Sequence, residues 1–359
     1  MRDLTIAAGP AAFAHIHKNG LGPDDIAAIF GASGAAKWLA IAGLDQAVFE
    51  GFMATRTSPA PVELFGTSVG AFKLAAASRK DPGKALAALA QSYIHQSYAQ
   101  DTHFATIDRE TRKLLLAVSG EDLVGADEIL ANSKYHLHIG TVRCHGWLNA
   151  SGKSGQALAL ARAGLAAIVS PDHLQGMAER VIFSDPRSSL DLVARDRYEL
   201  RQERLTSDNF LKALRASGSI PVYMQPVLFN DDPAHAYRDG GLLDYHPIPS
   251  SFWPRQDGLI LYPHFYDHFK TRWFDKFYPW RKAAAHQLDP VVMVSPSRDY
   301  IAKLPDGKIP ARQDFVKYRN NEVERFDKWH EVVRRSHDLG AQFLEACKSG
   351  DIARHVVPI

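Results

Sequence analysis

Cysteine is scarce in this sequence. Only Cys144 and Cys347 occur in 359 residues, far apart and with no CxxC spacing. That excludes a disulfide-stapled scaffold and a zinc knuckle, and it makes a reducing, cytoplasmic setting the expectation. Long apolar runs are also missing. No stretch approaches the roughly 18 residues that span a bilayer, and His15, His17 and Lys18 interrupt the N-terminal MRDLTIAAGPAAFAHIHKNG too early for a convincing signal peptide. Neither charge sign dominates: 42 Lys and Arg against 40 Asp and Glu leave a net charge of +2. With no block of like charge, a nucleic-acid partner is not expected. Metal-ligand clusters are lacking as well. His15 and His17 at i, i+2 and His136 and His138 on one strand face come nearest, and packed or solvated imidazoles account for both pairs. Neither a metal nor an organic cofactor is implied.

What the chain does contain is 46% hydrophobic residues, enough for a sizeable core, and no internal repeat or low-complexity linker. Short apolar runs alternate with Ala/Leu-rich segments, the pattern of a layered α/β fold. Strands are expected at Ile26–Phe30, Pro61–Phe65, Tyr135–Val142, Arg180–Ser184, Gly258–Tyr262 and Pro290–Val294. Helices are expected at Ala35–Glu50, Val69–Arg79 and Ser207–Ser217, the last capped by a Ser or Asp. Pro221–Leu228 reads as irregular because of Pro221 and Pro226, and Asp314–Ala346 as a charged amphipathic helical region.

Three local patterns carry chemistry. Gly66-Thr67-Ser68-Val69-Gly70 is a GxSxG between an apolar strand and a helix, where a tight turn exposes a serine hydroxyl and tolerates only small neighbours. The following helix N-terminus favours developing negative charge near Ser68. Gly31-Ala32-Ser33-Gly34 is a second strand-to-helix loop of small residues, able to converge backbone amides on an oxyanion or a phosphate. Asp239-Gly240-Gly241 lies in RDGGLLDYHP, downstream of ALRASGSIP at Ala213–Pro221.

In order and spacing these elements resemble the patatin-like phospholipases over roughly residues 22–255. The resemblance implies a three-layer α/β/α sandwich on a mixed central sheet, with a helical C-terminal extension over about 262–359, all in one domain of 1–359. It implies a serine acyl hydrolase cleaving carboxylic esters of lipids, phospholipase A or lysophospholipase-like, through a Ser68–Asp239 dyad and an acyl-enzyme. Gly31, Ala32, Ser33 and Gly34 match the family's oxyanion loop, with Gly66, Gly70, Gly240 and Lys37 in support. The loop departs from the family pattern: Ala32 and Ser33 interrupt its glycines, and Ala36 stands where Arg is usual, with Lys37 just after. His246, inside the base motif, is read as a polar loop residue.

Residues 262–282, YPHFYDHFKTRWFDKFYPWRK, place Phe265, Phe269, Trp273, Phe277 and Trp280 on one helical face as far as Pro279, beside several cations. That face either packs on the domain or makes a peripheral contact with a lipid–water interface. Three other readings stay open. Gly31–Gly34 with Glu50 downstream, and Tyr278 with Lys282, fit an NAD(P)-binding Rossmann oxidoreductase. Late histidines such as His264, His330, His337 and His355 fit a Ser-His-Asp α/β-hydrolase. The altered loop fits a patatin fold retained as a non-catalytic binding protein.

Overall fold

The computed structural model describes residues 3–98, 103–120, 125–170, 172–254 and 257–359. Its strands are β1 (Leu4–Ala8), β2 (Ile26–Gly31), β3 (Val62–Thr67), β4 (Tyr135–Cys144), β5 (Ala178–Ser184), β6 (Leu200–Arg204), β7 (Val227–Phe229), β8 (Asp232–Asp239), β9 (Leu259–Pro263), β10 (Val291–Pro296) and β11 (Val356–Pro358). They form one mixed sheet in the order β11-β1-β10-β9-β2-β3-β4-β5-β6, with β8 joined to β4 and β7 to β8. From β10 through β9, β2 and β3 to β4 the pairing is parallel. Such strands are covered on both faces, which explains why IAAIF and VVMV read as unbroken apolar runs.

The helices are α1 (Pro10–Asn19), α2 (Ala42–Gln46), α3 (Val69–Ala77), α4 (Pro82–Ile94), α5 (Phe104–Ser119), α6 (Gly125–Ala131), α7 (Lys153–Val169), α8 (Ser207–Ser217), α9 (Arg298–Lys303), α10 (Gln313–Lys317), α11 (Glu322–Ser349) and α12 (Ile352–His355). Helix α3 packs on β2 and β3, and α4 and α5 pack on α3. Elsewhere Phe30 and Phe65, opposite each other on β2 and β3, gather Phe252 and Trp253 at ring distances of 4.9–5.9 Å. A smaller core joins α7 to Val142 and Cys144 on β4, Leu242, Leu243 and Phe274. The expected sandwich of helices on a mixed sheet is what the chain forms.

Several expectations need correction. Ala35–Glu50 is not one regular helix but a 3-10 segment (Ala35–Ile41), α2, and a π turn (Ala47–Phe52). The cause is α11, which crosses so closely that the Gly43 amide donates to Ser336 Oγ at 2.7 Å rather than into a helical ladder. The C-terminal part is helical in α11, yet it also threads β9 and β10 into the middle of the sheet. Residues 262–282 do not form a helix. Pro263 ends β9, a 3-10 turn covers Trp273–Phe277, and Phe265, Phe269 and Phe274 are buried while Phe277 and Trp280 are exposed. Helix α8 is capped by Thr206, one residue ahead of the expected Ser or Asp.

The α2–α11 crossing gives a direct test. A β-carbon on Gly340 would lie 2.5 Å from Ala47 Cβ and 2.8 Å from the Gly43 carbonyl oxygen. Gly340→Val should therefore cost about 2–4 kcal/mol in urea unfolding, against less than about 1 kcal/mol for Glu345→Val on the exposed face of the same helix.

Candidate active site

Strand β3 stops at Thr67 and α3 starts at Val69, leaving Ser68 alone in the turn at φ 52°, ψ −129°. An L-residue held there is strained, and the strain points its side chain off the end of the sheet. The turn is tight enough that a β-carbon on Gly66 would overlap Gly70 and the Ala71 amide, and one on Gly70 would overlap Gly31. The small residues of GxSxG and the first glycine of Gly31–Gly34 thus serve one close approach between β2 and α3.

Ser68 Oγ donates to Asp239 Oδ2 at 2.8 Å, across 171 positions of sequence. Register explains the meeting. Thr67 pairs with Gly140 on β4, and Asp239, the last residue of β8, pairs with the next residue, Thr141. The other carboxylate oxygen, Oδ1, accepts the Gly241 amide at 2.7 Å. A β-carbon on Gly240 would overlap the Gly140 carbonyl, so this glycine permits the approach of the two strands.

Two residues of the ALRASGSIP element hold the arrangement, a role that its sequence pattern did not reveal. Ser217 Oγ accepts the Ser68 amide at 2.9 Å and donates to the Gly140 carbonyl at 2.7 Å. The Ser219 carbonyl accepts the Asp239 amide at 3.1 Å. In the 31–34 loop, the Ser33 amide donates to the Tyr245 carbonyl at 2.8 Å. Thr67 donates its hydroxyl to the Asp244 carbonyl, which leaves Thr67 Oγ1 to accept from Ser33 Oγ at 2.9 Å. Lys37 lies on the 3-10 segment that follows this loop. It is half-buried, donates to the Tyr245 hydroxyl at 3.2 Å, and burial lowers its pKa.

Burial dominates the electrostatics. Ser68 and Asp239 are 6% and 7% exposed, and desolvation pushes the Asp239 carboxyl from 3.8 up to about 6. The Ser68 hydroxyl, the Gly241 amide and the charges of Arg312 and Lys276 act in the opposite direction. A carboxylate so placed can accept a hydroxyl proton at neutral pH more readily than a solvated one.

The patatin-like phospholipase family model matches residues 30–251, well over half of the chain. The chain belongs to the patatin-like phospholipase family. No curated protein matches it significantly. Among solved structures it is similar to the crystal structure of VipD from Legionella pneumophila, at 13% identity over 87% of this chain and 67% of that one. The TM-score is 0.31, too loose a likeness to carry an inference about the site.

The patatin-like match ends before β9, and within it no histidine bonds Ser68 among the described residues. His246 is buried, its Nδ1 accepts the Lys270 amide at 2.8 Å, and burial beside His264 holds it neutral. His264 is depressed to about 3 by burial and stacks on Phe265. His330 on α11 meets His95 rather than the site. His136 and His138 both hydrogen-bond Glu63, at 3.2 and 2.7 Å, His15 lies 3.1 Å from Asp25, and His17 packs on Phe13. The oxidoreductase geometry also fails to assemble, since Tyr278 and Lys282 lie outside any helix and the Tyr278 hydroxyl donates to the Gly164 carbonyl. A cavity of about 640 Å³ opens at the amino ends of β2, β9 and β10, lined by Ala27, Leu259, Ile260 and Pro290, the opposite end from Ser68.

Asp239 gives two linked predictions. Its folded pKa lies above its unfolded value, so ionising it weakens the fold above pH 6, and the penalty fades as pH falls from 6 through 3.8. Asp239→Asn should therefore raise stability at pH 7.5 by about 1–3 kcal/mol in chemical denaturation. Any turnover that uses the carboxylate as a base should fall about tenfold per pH unit below pH 6.

Proposed function

We propose that this chain is a serine acyl hydrolase that cleaves carboxylic ester bonds of lipids, phospholipase A or lysophospholipase-like, through Ser68 and Asp239. The 2.8 Å contact between their side chains carries the reading. Asp239 takes the Ser68 proton as Oγ attacks the ester carbonyl carbon, and returns it to the departing alcohol oxygen. Water then attacks the acyl-Ser68 ester, Asp239 accepts a proton from it, and the released Ser68 oxygen recovers that proton. The oxyanion falls to amides of the Gly31–Gly34 loop, of which Ala32 and Gly34 are favoured because the Ser33 amide already serves Tyr245. The Val69 amide at the start of α3 is a further donor. Lys37 supplies positive charge beside that loop where the family usually has Arg.

Placement of β9 and β10 inside the sheet supports one patatin-like unit over residues 1–359, since neither half would close its sheet alone. No helix among the described residues is long and apolar enough to cross a membrane. Exposed Phe277 and Trp280, at 64% and 73%, with Lys276 and Lys282 beside them, support peripheral contact with lipid surfaces through part of 262–282, in the cytoplasmic setting that the scarcity of cysteine makes the expectation.

A fluorophosphonate probe should label wild type at Ser68, and Ser68→Ala should abolish both labelling and hydrolysis of p-nitrophenyl esters and phospholipid vesicles. Asp239→Asn should lower turnover by at least about a hundredfold with the fold intact. An unlabelled, folded wild type would point instead to a patatin fold kept for binding. Replacing both Phe277 and Trp280 with Ser should weaken vesicle partitioning about tenfold while leaving hydrolysis of a soluble ester unchanged.

A further inference from the structure

Three cations stand on segments that pack near the dyad. Lys37 follows the 31–34 loop and reaches the Tyr245 hydroxyl. Lys276 sits on the Trp273–Phe277 turn, which packs against Gly240–Leu242, the turn that follows Asp239. Arg312 lies just before α10, its guanidinium 5.0 Å from the Tyr223 ring, on the loop between Ser219 and β7. Among the described residues none of the three pairs with a carboxylate. Arg312 and Lys276 act on Asp239, and Arg312 acts on both lysines; although the Lys276 side chain reaches solvent, the protein around its ammonium, with the charges of Arg312 and Lys37, lowers its pKa to about 8. With the Asp239 carboxylate set against three like charges, a ligand that brings further negative charge is favoured. Two of the three, Lys276 and Arg312, come from beyond the family match at residues 30–251.

We propose that Lys37, Lys276 and Arg312 form a subsite for a phosphate monoester carried by the substrate, set beside the ester that Ser68 attacks. As a substrate assignment this rests on the hydrolase reading above. A zwitterionic head group fits poorly. A quaternary ammonium would meet three like charges, with Lys276 Nζ already 4.0 Å from the Trp273 ring centre and Lys37 Nζ 5.9 Å from those of Phe265 and Tyr266. Guanidinium and ammonium groups suit a phosphate dianion, which Arg312 can grip by a fork and the lysines as point charges.

Three lipids that share one oleoyl chain separate the possibilities: 1-oleoyl-glycerol 3-phosphate, 1-oleoyl-glycerol-3-phosphocholine and 1-oleoyl-glycerol. Wild type should favour the phosphate monoester over the phosphocholine by at least about tenfold in kcat/KM, and the doubly substituted Lys276→Gln, Arg312→Gln protein should lose that ratio. Equal use of the two head groups, or a ratio that survives the substitutions, would overturn the assignment. Calorimetry on the Ser68→Ala protein provides a readout independent of turnover. Glycerol 3-phosphate should bind, and binding should weaken at least about tenfold when Lys276 and Arg312 are replaced. Failure of wild type to hydrolyse any of the three lipids would remove the hydrolase reading, and calorimetry would then decide the subsite alone. Inorganic phosphate binding as tightly as glycerol 3-phosphate, with no preference among the lipids, would make free phosphate the occupant and overturn the substrate assignment. Circular dichroism on each variant separates lost binding from lost folding.

Discussion

Strand β4 is the ruler on which the site is built. Thr67 and Asp239 belong to segments more than 170 residues apart, and both are positioned by hydrogen-bonded pairing to adjacent residues of β4, Gly140 and Thr141. A slip of one residue in either pairing would turn a side chain to the other face of the sheet and part the serine from the carboxylate. Gly140 fits this duty by lacking a side chain. A β-carbon there would meet the Thr67 methyl at 2.7 Å and the Phe65 ring at 2.9 Å. Its carbonyl is also the anchor for Ser217, which in turn holds the Ser68 amide. Backbone register, glycine spacing and one buried hydroxyl thus act together on a single distance.

The same closeness sets the energetics. Ser68 is strained and Asp239 is desolvated, so the site costs the fold stability. The surrounding sheet, buried on both faces, and the α2–α11 crossing supply the rigidity that keeps the two groups together. On the proposed reading, reactivity comes from what the scaffold forces on ordinary side chains: a serine and an aspartate with no imidazole between them.

Much of this was legible locally. GxSxG, the small-residue loop and DGG are each contiguous, and each sits at a strand end where its glycines answer a close approach, so pattern reading alone singled out Ser68, Asp239 and the 31–34 loop, and the fold brings Ser68 and Asp239 into contact. The strands that position them were less visible. LTIAA of β1 was only a short apolar run cut off by His15, His17 and Lys18, LRQER of β6 is a charged edge, and Pro233 disguises β8, whose ladder to β4 covers only Tyr237–Asp239. Ser217 and Ser219 could be seen only as parts of a familiar pattern, because their partners lie on other strands. Lys276 and Arg312 gave no local signal, and the aromatic periodicity around Lys276 suggested a helix that Pro263 and tertiary burial of Phe265, Phe269 and Phe274 prevent.

The strand order bears on how the chain is made. Residues 4–8 of β1 find their neighbours only in β10 and β11, at residues 291–296 and 356–358. During synthesis the first strand therefore waits, unpaired, while most of the polypeptide is still being assembled. Closure of the sheet is a late event of high contact order. Until then an apolar edge is open to wrong partners, which makes the nascent chain a natural client for chaperones that shield unpaired strands.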